Sequence, residues 1–95
     1  NEPVLPAGVS LEEFKQLYID ITDAIREVDN NHIVYIEGNW YGTDFSGLTP
    51  PWDDNMSYSF HKYWGEYSLG TIQSYISMSN QYDIPLWMGE SGENS

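Results

Sequence analysis

Cysteine is missing from the 95 residues and basic residues nearly so, with three Lys and Arg standing against fifteen Asp and Glu. Without a thiol the chain can build neither a disulfide framework nor a thiolate metal site, and its redox compartment is left open. A net charge of −12 repels phosphate backbones and anionic headgroups, which excludes nucleic acid and membrane surfaces as natural partners. Nothing approaches the ~20 consecutive apolar residues that a bilayer span needs. No basic-then-apolar leader is visible either, and a signal peptide on an upstream stretch would lie outside these residues. Internal repeats and low-complexity tracts are absent. The acids are scattered among apolar residues, which argues against a disordered acidic tail.

What is present suits one small domain. The chain is 40% hydrophobic, and a chain of this size buries only roughly 60–70% of its unfolded surface, so a core is possible but marginal. Ser10 and Glu13 have the spacing of a capping box. Leu11, Phe14, Leu17, Tyr18, Ile21, Ile25 and Val28 then recur at three- and four-residue steps. That pattern predicts a helix from about Ser10 to Val28, stopped by left-handed Asn30 or Asn31.

"HIVYIEGN" follows with a continuous β-branched and aromatic run, a strand buried on both faces. "WYGTDFSGLTPPWDDN" reads as a long loop with at most one helical turn. "SYSFHKYW" returns to strand chemistry, placing Ser59, His61 and Tyr63 on one face. Ile72, Tyr75, Ile76 and Ser79 mark a weaker helix ending near Asn80, and "IPLWMGE" is the last strand. Alternating strands and helices predict an α/β fold with a parallel sheet and right-handed crossovers. The C-terminal strand ends would then share one edge, carrying Glu2, Glu37 with Asn39, His61 with Tyr63, and Glu90. The strand ahead of Asn1 is inferred. Such edges are where α/β proteins place chemistry.

"NEP" at the start, "SFHKYW" in the middle and "WMGESGENS" at the end together resemble motifs of the glycoside hydrolase family 5 cellulases, the retaining (β/α)8-barrel endoglucanases. The resemblance covers nearly the whole chain in the right order. It implies a partial catalytic domain over residues 1–95, about strands four to seven of a TIM barrel with their helices. It implies Glu2 as acid/base, Glu90 as nucleophile and Asn1 as a partner of the sugar 2-hydroxyl. His61 and Tyr63 would line the subsite and orient the nucleophile. A β-glucan polysaccharide or oligosaccharide is the implied substrate, with no cofactor and a secreted location. The family's earlier-strand arginine and histidine, and its tryptophan after the eighth strand, have no counterpart. Both ends therefore read as cut, with the remainder of the barrel as the missing partner.

The chemistry points the same way. Retaining hydrolysis needs two carboxyls ~5–5.5 Å apart. Like charges at that distance resist joint ionisation, which leaves one as a proton carrier. Trp40, Trp52 and Trp64 near the presumed rim are candidate platforms for sugar rings, whereas Tyr18, Tyr35, Tyr75 and Trp87 fall within apolar patterns and are assigned to the core. Glu37 and Asn39 are assigned to supporting or surface positions, and Glu93 to a turn. "WDDN" is read as a solvated turn in preference to a calcium site. The rival reading is a non-catalytic carbohydrate-binding module that uses the same aromatics and needs neither glutamate. A small acidic scaffold with no ligand is the third.

Overall fold

The structure, a computed structural model, describes residues 1–66 and 68–93, so Asn94 and Ser95 of the closing motif lie outside the described residues. The first ten residues form no regular element. Helix α1, Leu11–Arg26, starts where the Ser10 hydroxyl accepts the Glu13 N–H, the hydroxyl half of the expected capping box. It ends two residues early, and not through a left-handed asparagine. Instead the Asp29 carboxylate accepts the N–H groups of Asn31 and His32. Those N–H groups, Asn31's first, pull the Asp29 carboxyl down to about 2. Arg26 reaches across the turn to the carbonyls of Asp29 and His32 and pairs with Asp53 at 2.8 Å. A local side-chain turn thus outcompetes helix propagation.

Strand β1 is Val34–Glu37 and leads into a one-turn element, α2, Asn39–Gly42. Strand β2, Met56–Tyr63, follows the long loop. A 3-10 turn at Leu69–Ile72 feeds α3, Gln73–Tyr82, which stops at left-handed Asp83, and β3 is Leu86–Gly92. The three strands pair in parallel in the order β1-β2-β3, as the alternation predicts.

One face of this sheet carries the core. Phe14 of α1 and Phe45 and Leu48 of the loop pack with Ile36, Met56, Tyr58 and Phe60 of the strands and with Ile84. Tyr58 is fully buried, and its hydroxyl donates to the Leu48 carbonyl at 2.6 Å. This bond ties the loop onto the central strand. Of the predicted α1 stripe, the i, i+4 row through Phe14 and Tyr18 faces the sheet. Leu17, Ile21 and Val28 are exposed.

The other sheet face is open, which corrects the expectation of burial on both sides. Tyr35 is 47% and Trp87 56% exposed, so neither belongs to the core. Their rings lie 6.0 Å apart, and the β2 residues paired with them, Ser57 with Tyr35 and Ser59 with Trp87, are small and buried. Trp52 is corrected in the opposite direction. It precedes β2, at the N-terminal end of the sheet, stacks near Tyr18 and donates its indole N–H to Thr22 Oγ1. It is a packing residue and not part of the rim.

Tyr58→Phe should destabilise the fold by about 1–2 kcal/mol, because the Leu48 carbonyl loses its buried donor. Urea unfolding reads this directly, and an unchanged midpoint would show that the loop is not held there.

Candidate active site

At the C-terminal edge of the sheet, β2 delivers His61 with its side chain only 2% exposed. Two glycines make room for the ring and for the serine before it on the strand. Gly42, at φ +80, lies so close that a Cβ there would sit 2.9 Å from His61 Cγ. Gly89 runs alongside, where a Cβ would fall 2.7 Å from Ser59 Oγ. Side chains larger than hydrogen would displace the imidazole or its strand.

Gly89 also resets the register. Up to Phe60↔Met88 the pairing of β2 with β3 is regular, and the next pair is His61↔Glu90, with Gly89 as the extra residue. Without the slip, period-two alternation would turn Glu90 toward the helix side with Met88. The irregularity aims it at the face of His61.

Glu2 arrives on the N-terminal segment, which is tied down by side-chain and backbone bonds. The Leu5 N–H donates to Asn39 Oδ1 at 3.1 Å, and the Tyr41 N–H donates to the Pro3 carbonyl at 3.2 Å. Trp40 and Tyr41 both hold positive φ, 52° and 60°. Each such residue costs roughly 1–2 kcal/mol in ordinary contexts. The strained turn is thus braced against the segment that carries Glu2.

These elements converge on one constellation. His61 Nδ1 lies 2.9 Å from Glu2 Oε2 and 3.7 Å from Glu90 Oε2, and Nε2 lies 3.3 Å from Glu37 Oε2. Glu90 accepts from the Asn1 side-chain amide at Oε1 and from the Tyr63 hydroxyl, 3.0 Å away, at Oε2. Asn1, Glu2, His61, Tyr63 and Glu90 are therefore brought together from both ends and the middle of the chain. Glu37, assigned to a supporting or surface position from sequence, touches the same imidazole.

One oxygen or nitrogen from each of Glu2, His61 and Glu90 falls within 4.8 Å of the others. Carboxylate oxygens and an imidazole nitrogen at that spacing are also the donor set of a divalent-cation site. Both Glu90 oxygens already accept, from Asn1 and from Tyr63, so a cation there would compete with those donors.

A cleft of about 570 Å³ opens over the constellation, lined by Glu2, Glu90, His61 and Tyr63 and by the aromatics Tyr41, Trp64 and Tyr75. Trp64, at φ 49, stands exposed on this wall. Trp40 is exposed but packs edge-on against Tyr41 at 5.3 Å and is not among the lining residues. Tyr41, which sequence reasoning did not single out, lines the cleft from a left-handed turn that residue type alone does not announce. Glu93 instead accepts the Gly65 N–H.

The chain matches the cellulase family, glycosyl hydrolase family 5, over residues 1–95. It belongs to that family. Family 5 membership gives glycoside hydrolysis as the general activity, a polysaccharide as the substrate class and a TIM barrel as the superfamily fold, with which the three parallel strands agree. No curated protein and no solved structure matched the chain. Among the described residues, no helix is long and apolar enough to cross a membrane.

Tyr63 supplies a pH test of the geometry. Its O–H donates to Glu90, and this bond, with desolvation and the negative charges of Glu90 and Glu2, pushes the phenol above its ordinary range. Raising the pH through that ionisation removes the donor and adds a negative charge beside Glu90. With a ring-labelled tyrosine followed by NMR, Tyr63 should titrate above the usual ~10, and Glu90→Gln should bring it back down. A Tyr63 titration that ignores Glu90→Gln would contradict the contact.

Proposed function

We propose that the chain carries the catalytic pair of a retaining endo-β-1,4-glucanase acting on cellulose or a related β-glucan. The observation that carries the reading is the meeting of Glu2 and Glu90 at His61, with one carboxylate oxygen of each within 4.8 Å of the other. Retaining enzymes separate their carboxyls by ~5–5.5 Å, and inverting ones by ~6.5–9.5 Å to admit a water. The short spacing favours double displacement.

The roles follow from the surroundings. Glu90 is held by two donors with its oxygens fixed as acceptors, which suits attack on the anomeric carbon. Glu2 touches an imidazole able to exchange a proton with it, which suits delivery to the leaving oxygen. In the first step the Glu2 proton passes to the glycosidic oxygen as the C1–O bond breaks and the bond from Glu90 to C1 forms. In the second, Glu2 takes a proton from water, whose oxygen attacks C1 and frees Glu90. Asn1, held against Glu90, is placed to meet the sugar 2-hydroxyl. Tyr41 and Trp64 offer flat faces along the cleft for pyranose rings, and Trp40 extends that aromatic group through its packing on Tyr41.

The same reading makes residues 1–95 part of a larger (β/α)8 catalytic domain, about its strands four to seven, with β1, β2 and β3 as the fifth to seventh. The open sheet face bearing Tyr35 and Trp87, and the exposed Leu17 and Ile21 of α1, support it. These are apolar surfaces that neighbouring strands and helices of a barrel would cover. A secreted location accords with a substrate too large to enter a cell.

In the complete catalytic domain, Glu90→Gln should lower hydrolysis of β-glucan by several orders of magnitude while oligosaccharide binding persists. A fluorinated mechanism-based sugar should leave its covalent label on Glu90 in peptide mass analysis. Label on Glu93, or full hydrolysis by the variant, would sink the assignment. Oligosaccharide binding with no hydrolysis by the unaltered domain, and binding unchanged in Glu90→Gln, would favour a binding module.

A further inference from the structure

Glu37 is the feature that this mechanism leaves unused. Its Oε1 accepts the Ser59 hydroxyl at 2.8 Å. Its Oε2 is sealed from solvent with no hydrogen-bond partner among the described residues, and His61 Nε2 lies 3.3 Å away, close enough to attract but misaligned for a bond. A buried carboxylate oxygen without a donor is costly, because it has lost its water and gained no hydrogen bond in return. A hydrogen on His61 Nε2 is the donor nearest to satisfying it, and a small ring rotation completes the bond.

We propose that Glu37 is a positioning residue which holds His61 in the tautomer with its hydrogen on Nε2, leaving the Nδ1 lone pair to share the proton of Glu2. The inference rests on the reading of Glu2 as acid/base. An imidazole ring's tautomer is set by the hydrogen bond that its other nitrogen makes. With Nε2 donating to Glu37, the neutral ring presents a lone pair to Glu2, so the protonated carboxyl is welcomed there and the carboxylate is not. The acid is thereby kept loaded until the leaving oxygen takes its proton. Were the hydrogen on Nδ1 instead, it would donate to the Glu2 carboxylate and favour the unloaded form.

The neighbours of this relay are few. His61 faces Glu2, Glu37 and Glu90, with Tyr63 bonded to Glu90 on the far side. From α1 the Tyr18 hydroxyl donates to the Glu37 backbone carbonyl, and burial first, then the Glu37 charge, pushes that phenol up to about 12, so it stays a neutral donor. Lys62, on the other face of β2, directs its ammonium to the Trp64 carbonyl. Ser59 beneath Glu37 orients the carboxylate and carries no charge.

The test uses the complete catalytic domain with nitrogen-15-labelled histidine. In the wild type, the two-bond correlation pattern of neutral His61 should place the hydrogen on Nε2. Glu37→Met, similar in length but unable to accept, should move it to Nδ1. The same variant should move the alkaline limb of kcat/KM on unactivated oligosaccharide to lower pH, with a loss on the order of tenfold above it. Glu37→Gln, whose carbonyl oxygen can still accept from Nε2, should restore most of the wild-type tautomer and profile. A merely structural role would lower activity evenly across pH and leave the tautomer unmoved. A wild-type hydrogen on Nδ1 overturns the proposal even if the variants fail to fold, and so does a Glu37→Met protein with an unchanged tautomer and unchanged alkaline limb. Failure of the underlying reading looks different. Glu2→Gln should lose far more activity on unactivated substrate than on an aryl glycoside whose leaving group needs no proton. Equal activity with the wild type on both would remove Glu2 as the acid, whatever the state of His61.

Discussion

One buried imidazole with carboxylates on three sides organises this structure. Fifteen acids against three Lys and Arg make clustered carboxylates expensive. Two unit charges ~5 Å apart repel by about 3 kcal/mol at an effective dielectric constant of 20. Among the described residues, Glu2, Glu37 and Glu90 each bring a carboxylate oxygen within 3.7 Å of a His61 ring nitrogen. The ring offers two nitrogens and a mobile proton where a lysine would offer a fixed charge. A hydrogen on one ring nitrogen answers one carboxylate while the other nitrogen accepts, and under the proposed reading that acceptor faces the proton of Glu2.

The fold can be read outward from that ring. Gly42 lies against the ring, where a Cβ would come within 2.9 Å of it, and Gly89 lies against Ser59, where a Cβ would come within 2.7 Å of the hydroxyl. The slip at Gly89 brings Glu90 opposite His61, and the left-handed turn at Trp40 and Tyr41 is tied to the segment bearing Glu2. Local backbone irregularity collects where the site is assembled, and regular packing of Ile36, Tyr58 and Phe60 against α1 and the loop lies on the opposite sheet face. This division of labour is what a scaffold with a strained functional edge requires.

The sequence made some of this legible and hid the rest for physical reasons. The start of α1 was visible because Ser10 and Glu13 are close in the chain, and capping is local. The parallel sheet followed from alternation. Glu2, His61, Tyr63 and Glu90 stood out as a group through their motifs, although strand periodicity alone would have turned Glu90 the wrong way, since a one-residue slip leaves no mark beyond a glycine. Glu37 looked peripheral because its importance depends on which strand lies beside β1, a tertiary fact. Trp52 was misplaced because loop composition does not say which end of the sheet a residue visits. Tyr35 and Trp87 looked like core because aromatic strand residues do not reveal whether the second sheet face is covered.

The central claim is that Glu2 and Glu90 stand close enough for one to attack while the other carries the proton, and product stereochemistry tests that spacing most directly. Proton NMR of the anomeric hydrogens, followed from the first seconds of hydrolysis of a β-1,4-glucan oligosaccharide by the complete catalytic domain, distinguishes the two possible outcomes before mutarotation mixes them. The account predicts that the β-anomer appears first and the α-anomer grows in slowly. Initial release of the α-anomer would mean a single displacement by water between more distant carboxyls, and would contradict the pairing of Glu2 with Glu90 described here.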